Sequence, residues 1–329
     1  MAAARASLLK LSAAQLKAVA VRCGLNSSGT KAVLASRLSD EASVAQANGR
    51  KLRSQLKVLS IDLGIKNFAF CVLGSRPSID RTPVLEVWER RDISQVEAVC
   101  VPASEASDTK RVANPKPKKT PKTSFQPAQF ASVAYDLMSD LLDTHNPDAV
   151  ILERQRFRTM GAAAVQEWTL RVNMLEAMLH AVIYTFKREG KWDGQVESIV
   201  PGKVGALWTD ETQHPPVEVP AGAQTRTKAA KKAKMKMQKI DIVGRMLVDK
   251  DKSVMLLEKH VEMVDVYLAK WSRMKNGKVR GKSAAKAEVE VEVKKLDDLA
   301  DCLLQGLAWL RWRENRQKLA SARGFEQLL

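Results

Sequence analysis

The chain has 329 residues, 45% of them apolar, the balance of a protein that buries a core rather than of a disordered segment. Its 54 Lys and Arg outweigh 37 Asp and Glu, a net charge of +17, which points to a polyanionic partner. The four cysteines, Cys23, Cys71, Cys100 and Cys302, form no C-x-x-C pair, which argues against a disulfide scaffold, a zinc ribbon and a secreted origin. No run of 18 apolar residues lacks a charge, so no bilayer-spanning helix is expected. Met1 to Ala6 contain Arg5 and no acid, compatible with the stub of a mitochondrial transit peptide and equally with an ordinary frayed terminus.

Residues 1–45 read as a helical unit. Leu8, Leu9, Leu11, Leu16, Val19, Ala20 and Leu25 recur at helical spacing, Ser12 is a candidate N-cap, and Gly24 sits where the helix stops. A second short helix follows Ser28-Gly29-Thr30, with Val33, Leu34 and Leu38 on one face and Lys31 and Arg37 on another. Residues 46–55 are expected to be a linker, and 56–329 a second domain. There the period changes. Residues 58–63 and 68–73 are apolar runs around Gly64-Ile65-Lys66-Asn67, a hairpin pattern, and residues 84–88 form a third strand. Helical spacing returns at 130–142, a strand at 149–152, a long helix at 162–187 and a strand at 196–200, stopped by Pro201. Helical segments follow around 240–248, 254–270 and 296–313. Three strands, helix, strand, helix, strand and helices predict an α/β layered domain opening with an antiparallel meander.

The basic residues are clustered. Residues 108–122 are rich in Pro and Lys and read as a mobile connector. Residues 226–239 hold seven Lys or Arg and no acid, leading into an apolar helix with a cationic face. Residues 270–286 again hold seven and no acid and read as a flexible loop broken by Gly277 and Gly281. Any one run is compatible with a solvated surface; three together favour contact with a nucleic-acid backbone.

Two carboxylates interrupt apolar strands: Asp62, inside residues 58–63, and Glu153, at the end of 149–152. Burying either is costly without a positive partner. If the two strands are neighbours, the charges repel unless a divalent cation lies between them. Asp297, Asp298 and Asp301 open an otherwise apolar helical stretch, where Asp298 with Asp301, or Asp297 with Asp301, shares one face. Acids at a helix N-terminus also suit its dipole, but that reading leaves Asp301, among apolar neighbours, unexplained.

Two resemblances rest on these residues. The stretch LLKLSAAQLKAVAVRCGLNSSGTKAVLASRL resembles the SAP motif, a small helical module of DNA- and RNA-associated proteins. That likeness implies DNA binding through the second helix, with Lys31 and Arg37 at phosphates; a helical hairpin for protein contacts is the alternative. Asp62, Glu153, Asp297 or Asp298, and Asp301 resemble the acidic tetrad of the RNase H-like nuclease superfamily. SIDLGIKNFAF, VILERQRFRT, SIVPGKVGALW, KKAKMKMQKI and KKLDDLADCLLQGLAW, in that order along the chain, are most similar to the fungal mitochondrial Holliday junction resolvases, relatives of bacterial RuvC.

This second resemblance implies an RNase H-like fold with a mixed five-stranded sheet flanked by helices. It also implies a mitochondrial homodimer that nicks four-way DNA junctions in symmetric pairs. Two Mg²⁺ ions per site, replaceable by Mn²⁺, would be held by Asp62, bridging, by Glu153 on one metal, and by Asp298 with Asp301 on the other; Asp297 is the rival to Asp298. Carboxylate oxygens suit such hard cations, and two metals activate water and stabilise the leaving oxygen of a phosphodiester. Lys203 would lie near the scissile phosphate, or else in solvent. Lys66, Asn67, Arg154, Arg156, Arg158, Lys231, Lys232 and Lys234 would contact DNA. His145, His180, His214 and His260 show no metal spacing, and no small-molecule cofactor or membrane is expected. Inserts at about 101–124, 209–227 and 272–294 lengthen the loops. The alternatives are a non-catalytic junction or nucleoid DNA-binding protein, or a nuclease of this fold on another substrate such as an RNA hybrid. An actin-like ATPase is disfavoured because a second glycine-rich phosphate loop is missing from the sequence.

Overall fold

The computed structural model describes residues 7–48, 56–75, 82–95, 126–155, 166–208, 228–248, 255–256, 261–275, 283–321 and 326–329. Strands β1 (Leu56–Asp62), β2 (Phe68–Ser75) and β3 (Pro83–Arg91) form the expected antiparallel meander, and β4 (Ala149–Glu153) and β5 (Gln195–Ile199) extend it in parallel on the β1 side. A two-residue strand, β6 (Met255–Leu256), adds parallel to β3, so the order is β5-β4-β1-β2-β3-β6. The mixed five-stranded sheet is therefore present with a short sixth strand at its edge; its two residues fall where the sequence pattern suggested helix.

Side chains alternate across the sheet. Leu59, Ile61, Phe70, Val72, Val150 and Leu152 face helices α3 (Pro127–His145) and α4 (Glu167–Arg188). Val58, Cys71, Leu73 and Ile151 face α5 (Pro201–Trp208), α6 (Lys228–Val248), α7 (Val261–Lys275) and α8 (Ser283–Ala320). Ser60, Asp62 and Glu153 share the parity of this second face. Helix α8 crosses it so closely that a Cβ on Gly306 would stand 2.7 Å from Leu73 Cδ1 and 3.0 Å from Ser60 Cβ. One residue earlier, the buried Gln305 amide donates to Ser60 Oγ (3.2 Å), Ile61 O (3.0 Å) and Ile151 O (3.4 Å). Glycine and glutamine together fix α8 over β1 and β4, directly below the acids.

The N-terminal helices α1 (Ala13–Arg22) and α2 (Lys31–Asn48) have their own small core, but Leu319 and Leu328 from the C-terminal end complete it. Ser12 caps α1 in a reciprocal box with Gln15. Gly24 ends it at φ +68°, where an added Cβ would lie 2.4 Å from the Trp312 ring, so only glycine fits on both counts. Carbonyl groups left over at the end of α1 are taken by the body of the protein. Asn315 donates to Arg22 O (2.7 Å), Arg316 to Cys23 O (2.8 Å) and Lys203 to Gly24 O (2.9 Å). The helical unit is thus fastened to α8 and α5.

Several expectations are corrected. Helix α2 runs through Asn48, into the stretch read as linker from residue 46. Helix α8 begins at Ser283, so part of the supposed 272–294 loop is helical, as are residues 272–275 at the end of α7. Pro201, which the pattern marks as the stop of β5, instead starts α5, where its missing N–H costs nothing. Met1 to Ala6 and the inserts 101–124 and 209–227 lie outside the described residues. Among the described residues no helix is long and apolar enough to cross a membrane, and Cys23, Cys71 and Cys302 are buried free thiols.

Candidate active site

Parallel pairing sets Ile61 beside Leu152, so the next residues, Asp62 and Glu153, emerge side by side at the carboxyl ends of adjacent strands. Their carboxyl groups are close enough to act on each other. Burial, then Glu153, Asp301 and Asp298, push the Asp62 carboxyl well above the ordinary carboxylate range. Asp62 is thereby favoured in its protonated form when no cation is bound.

The aspartates of α8 complete the group from above. Asp297, Asp298 and Asp301 lie well inside the helix, more than three turns from Ser283, so dipole capping does not account for them. Burial and Asp297 raise the Asp298 carboxyl to about 7, against the opposing pull of Lys236 and Arg90. Burial raises Asp301 to about 6 even though Lys239 favours its charged form. Asp62 responds to Asp298 and Asp301, whereas Asp297, 3% exposed, is ion-paired with Lys236.

Two lysines that the sequence reading did not single out belong to this site. Lys236 and Lys239 of α6 reach Asp297 and Asp301, the latter pair at 2.6 Å. Both ammonium groups are held above their usual range by these bonds, in spite of burial. The spacing contained the signal: Lys236, Lys239, Ile240 and Val243 repeat at i, i+3, i+4 and i+7, so these lysines share the face that Ile240 and Val243 bury.

The other expected residues divide. Asn67 accepts a 2.7 Å hydrogen bond from Arg90, the guanidinium that acts on Asp298, so the β1–β2 turn does reach the site. Lys66, Arg154 and Lys234 are exposed; Lys231 and Lys232 lie in the early turns of α6. Arg156 and Arg158 lie outside the described residues. Lys203 stands apart from the acids. Its ammonium is turned towards the N-terminal helices, bonded to Gly24 O, and its charged neighbours are Arg316, Glu197, Arg37 and Glu41 rather than the acids; the first turn of α5 faces the end of α1. Arg37 is likewise occupied, donating to Asn26 O and, at 3.0 Å, to Ser28 O, while Lys31 is exposed.

The donor set suits hard divalent cations, being carboxylate oxygen throughout. Asp298 Oδ2 and Asp297 Oδ1 are buried acceptors without a hydrogen-bond partner, groups that a cation or its water would satisfy. Among the described residues no three potential ligands already stand around one point. Lys236 and Lys239 carry part of the compensating charge, and the carboxyls couple without converging fully.

Comparison with known proteins agrees with this architecture. Residues 58–319 match the family model described as mitochondrial resolvase Ydc2 / RNA splicing MRS1, and residues 7–40 match the SAP domain. The chain is 28% identical over 298 residues to the mitochondrial cruciform cutting endonuclease 1 of Schizosaccharomyces pombe, covering 88% of each chain. To the protein of the same name from Saccharomyces cerevisiae it is 26% identical over 328 residues, covering 93% of this chain and 83% of the relative. The crystal structure of the yeast mitochondrial Holliday junction resolvase Ydc2 superposes with a TM-score of 0.58 at 23% identity, covering 97% of this chain and 99% of that one, a likeness of fold. The acids at the ends of β1 and β4, the α8 aspartates above them and a match over four-fifths of the sequence lead to one assignment: the chain belongs to the mitochondrial resolvase Ydc2 / RNA-splicing MRS1 family and carries an N-terminal SAP domain.

Proposed function

We propose that this protein is a divalent-metal-dependent endonuclease that resolves four-way DNA junctions by paired symmetric nicks in mitochondria. The observation that carries the proposal is the electrostatic coupling of Asp62, Glu153, Asp298 and Asp301 at one end of the sheet, since a family that also includes an RNA-splicing protein does not by itself imply strand cleavage. The two curated relatives are named as mitochondrial cruciform-cutting endonucleases, and the basic surface suits a phosphate backbone.

In this reading Asp62, Glu153, Asp298 and Asp301 hold two Mg²⁺ ions, with Mn²⁺ as a substitute, and Asp297 stays with Lys236. Bound divalent cations supply Lewis acidity at the phosphate and make an attacking water more acidic. The chain's own groups prepare the site. Gln305 and Gly306 set the height of α8 over the strands, Lys239 holds Asp301, and Asn67 orients Arg90 beside Asp298. Lys66, Arg154 and Lys234 are exposed for contact with the DNA strands. Symmetric cutting requires two sites; α4 offers a second copy the exposed side chains Trp168, Leu170 and Tyr184, at 47%, 43% and 64% exposure.

The test is cleavage of a labelled four-way junction beside linear duplex and an RNA/DNA hybrid, with Mg²⁺ or EDTA. Paired cuts in the junction alone, dependent on metal and lost in Asp62→Asn, support the proposal. Tight binding without cleavage assigns the protein to the splicing-like, non-cutting side of its family. Cleavage of the hybrid keeps the metal site and overturns the substrate.

A further inference from the structure

The N-terminal module is fastened to the helix that carries the site aspartates. Trp312, against which Gly24 is packed, lies 11 residues after Asp301, and Arg316, which holds Cys23 O and Glu41, lies 15 after it. At 1.5 Å and 100° per residue the two contacts are about 17 and 22 Å further along α8, rotated by only about 20° and 60° from Asp301. The module therefore continues the side of α8 on which the acids lie. Its attachment is stiff: three side-chain-to-carbonyl bonds, a 3.4 Å ion pair between Arg316 and Glu41, the ring over Gly24, and a core completed by Leu319 and Leu328. A second anchor, Lys203, belongs to α5, which starts two residues after Ile199, the register partner of Glu153. Both elements that hold the module thus also hold or adjoin a site carboxylate. Between residues 7 and 48 five basic residues stand against two acidic ones, and Lys10, Lys17 and Lys31 are exposed.

From this geometry we infer that the module is a fixed arm of the nuclease rather than a tethered accessory, gripping the backbone of a duplex arm at a set distance from the cut. This rests on the junction reading above. Phosphates of one strand advance about 3.4 Å per nucleotide along the duplex axis, so for an arm running along α8 about 17 to 22 Å corresponds to contact from the fifth or sixth nucleotide outward. Lys203 is then a positioning residue, acting through the module instead of at the scissile phosphate.

The experiment uses the full chain and four-way junctions whose arms carry neutral methylphosphonate linkages, either at the fifth to eighth positions from the crossover or, as control, near the arm ends. Neutralising the near positions is expected to weaken binding about tenfold. Without the three lysine–phosphate pairs, the slope of log affinity against log salt should fall by about 2.7. The same change at the arm ends has no effect, and Lys10→Ala/Lys17→Ala/Lys31→Ala, altered only at exposed positions, no longer distinguishes near from far substitution. Lys203→Met is expected to raise the junction concentration needed for half-maximal cleavage while single-turnover cleavage at saturation changes less than twofold. Cleavage of the unmodified junction with equal tolerance of near and far neutralisation would overturn the fixed-arm inference alone, as would a triple variant as sensitive as the native chain. A fall in saturated cleavage by Lys203→Met would return that residue to the phosphate. No cleavage of any junction would instead sink the functional reading.

Discussion

Removing a site carboxylate should make the protein more stable above neutral pH. Asp298 is raised to about 7 from an ordinary 3.8, by burial first and by Asp297 next. A carboxyl with a raised folded pKa favours the fold fully at low pH, and that contribution is lost as pH rises through the folded value. For values of 3.8 and about 7, the loss between pH 5 and pH 8 integrates to about 2.6 kcal/mol, or about 2 kcal/mol after allowing for the group's partial exposure. The measurement is thermal unfolding in EDTA of the native protein and of Asp298→Asn, from pH 5 to pH 8. The difference between the two is the informative quantity, because His145, whose burial lowers its pKa, gains stability with rising pH in both. Asp298→Asn should be nearly matched to the native protein at pH 5 and melt about 3 °C higher at pH 8. Saturating Mg²⁺ should shrink that gap by stabilising the native chain selectively. A pH-independent difference, or a variant that melts lower at pH 8, would refute the burial and crowding assigned to this carboxyl.

Gly306→Ala should cost about 1–3 kcal/mol through overpacking against Leu73 and Ser60, read as a lower unfolding midpoint in denaturant; an unchanged midpoint would mean that α8 sits further from the sheet. Gly24→Ala should cost about 1–2 kcal/mol for the left-handed backbone in addition to the clash with Trp312, and with it part of the junction affinity. Lys239→Met removes the charge that favours ionised Asp301, so the acidic limb of the cleavage-rate profile should move to higher pH and the rate at neutral pH fall at least tenfold; an unshifted limb would separate Lys239 from the site.

Much of this site was legible because burying charge in a strand is costly enough to be conspicuous. Asp62 and Glu153 interrupt apolar runs, and the parallel pairing of those runs places them together. Asp298 and Asp301 were legible from their i, i+3 spacing among leucines, although the start of their helix was not. The polar sequence from 283 to 295 reads as loop because much of the periodic apolar signal begins at Leu296. Lys236 and Lys239 were hidden in a run where lysines look alike; only the phase of Ile240 and Val243 sets them apart. The contact made by Lys203 was not legible, because the sequence places it after Pro201 but says nothing of the α1 carbonyl in front of it. The fastening of the module to α8 depends on contacts nearly 300 residues apart, such as Asn315 with Arg22, and no local pattern encodes them.

The central claim is that Asp62, Glu153, Asp298 and Asp301 act as one metal-dependent centre that cuts branched DNA. Its most direct test is single-turnover cleavage of a four-way junction by the native chain, Asp62→Asn and Asp297→Asn, at matched junction occupancy and with Mg²⁺ titrated. The account predicts paired cuts by the native protein, cleavage by Asp62→Asn reduced at least a hundredfold without loss of junction binding, and measurable residual cleavage by Asp297→Asn. Undiminished cleavage by Asp62→Asn, or cleavage in EDTA equal to that in Mg²⁺, would contradict it.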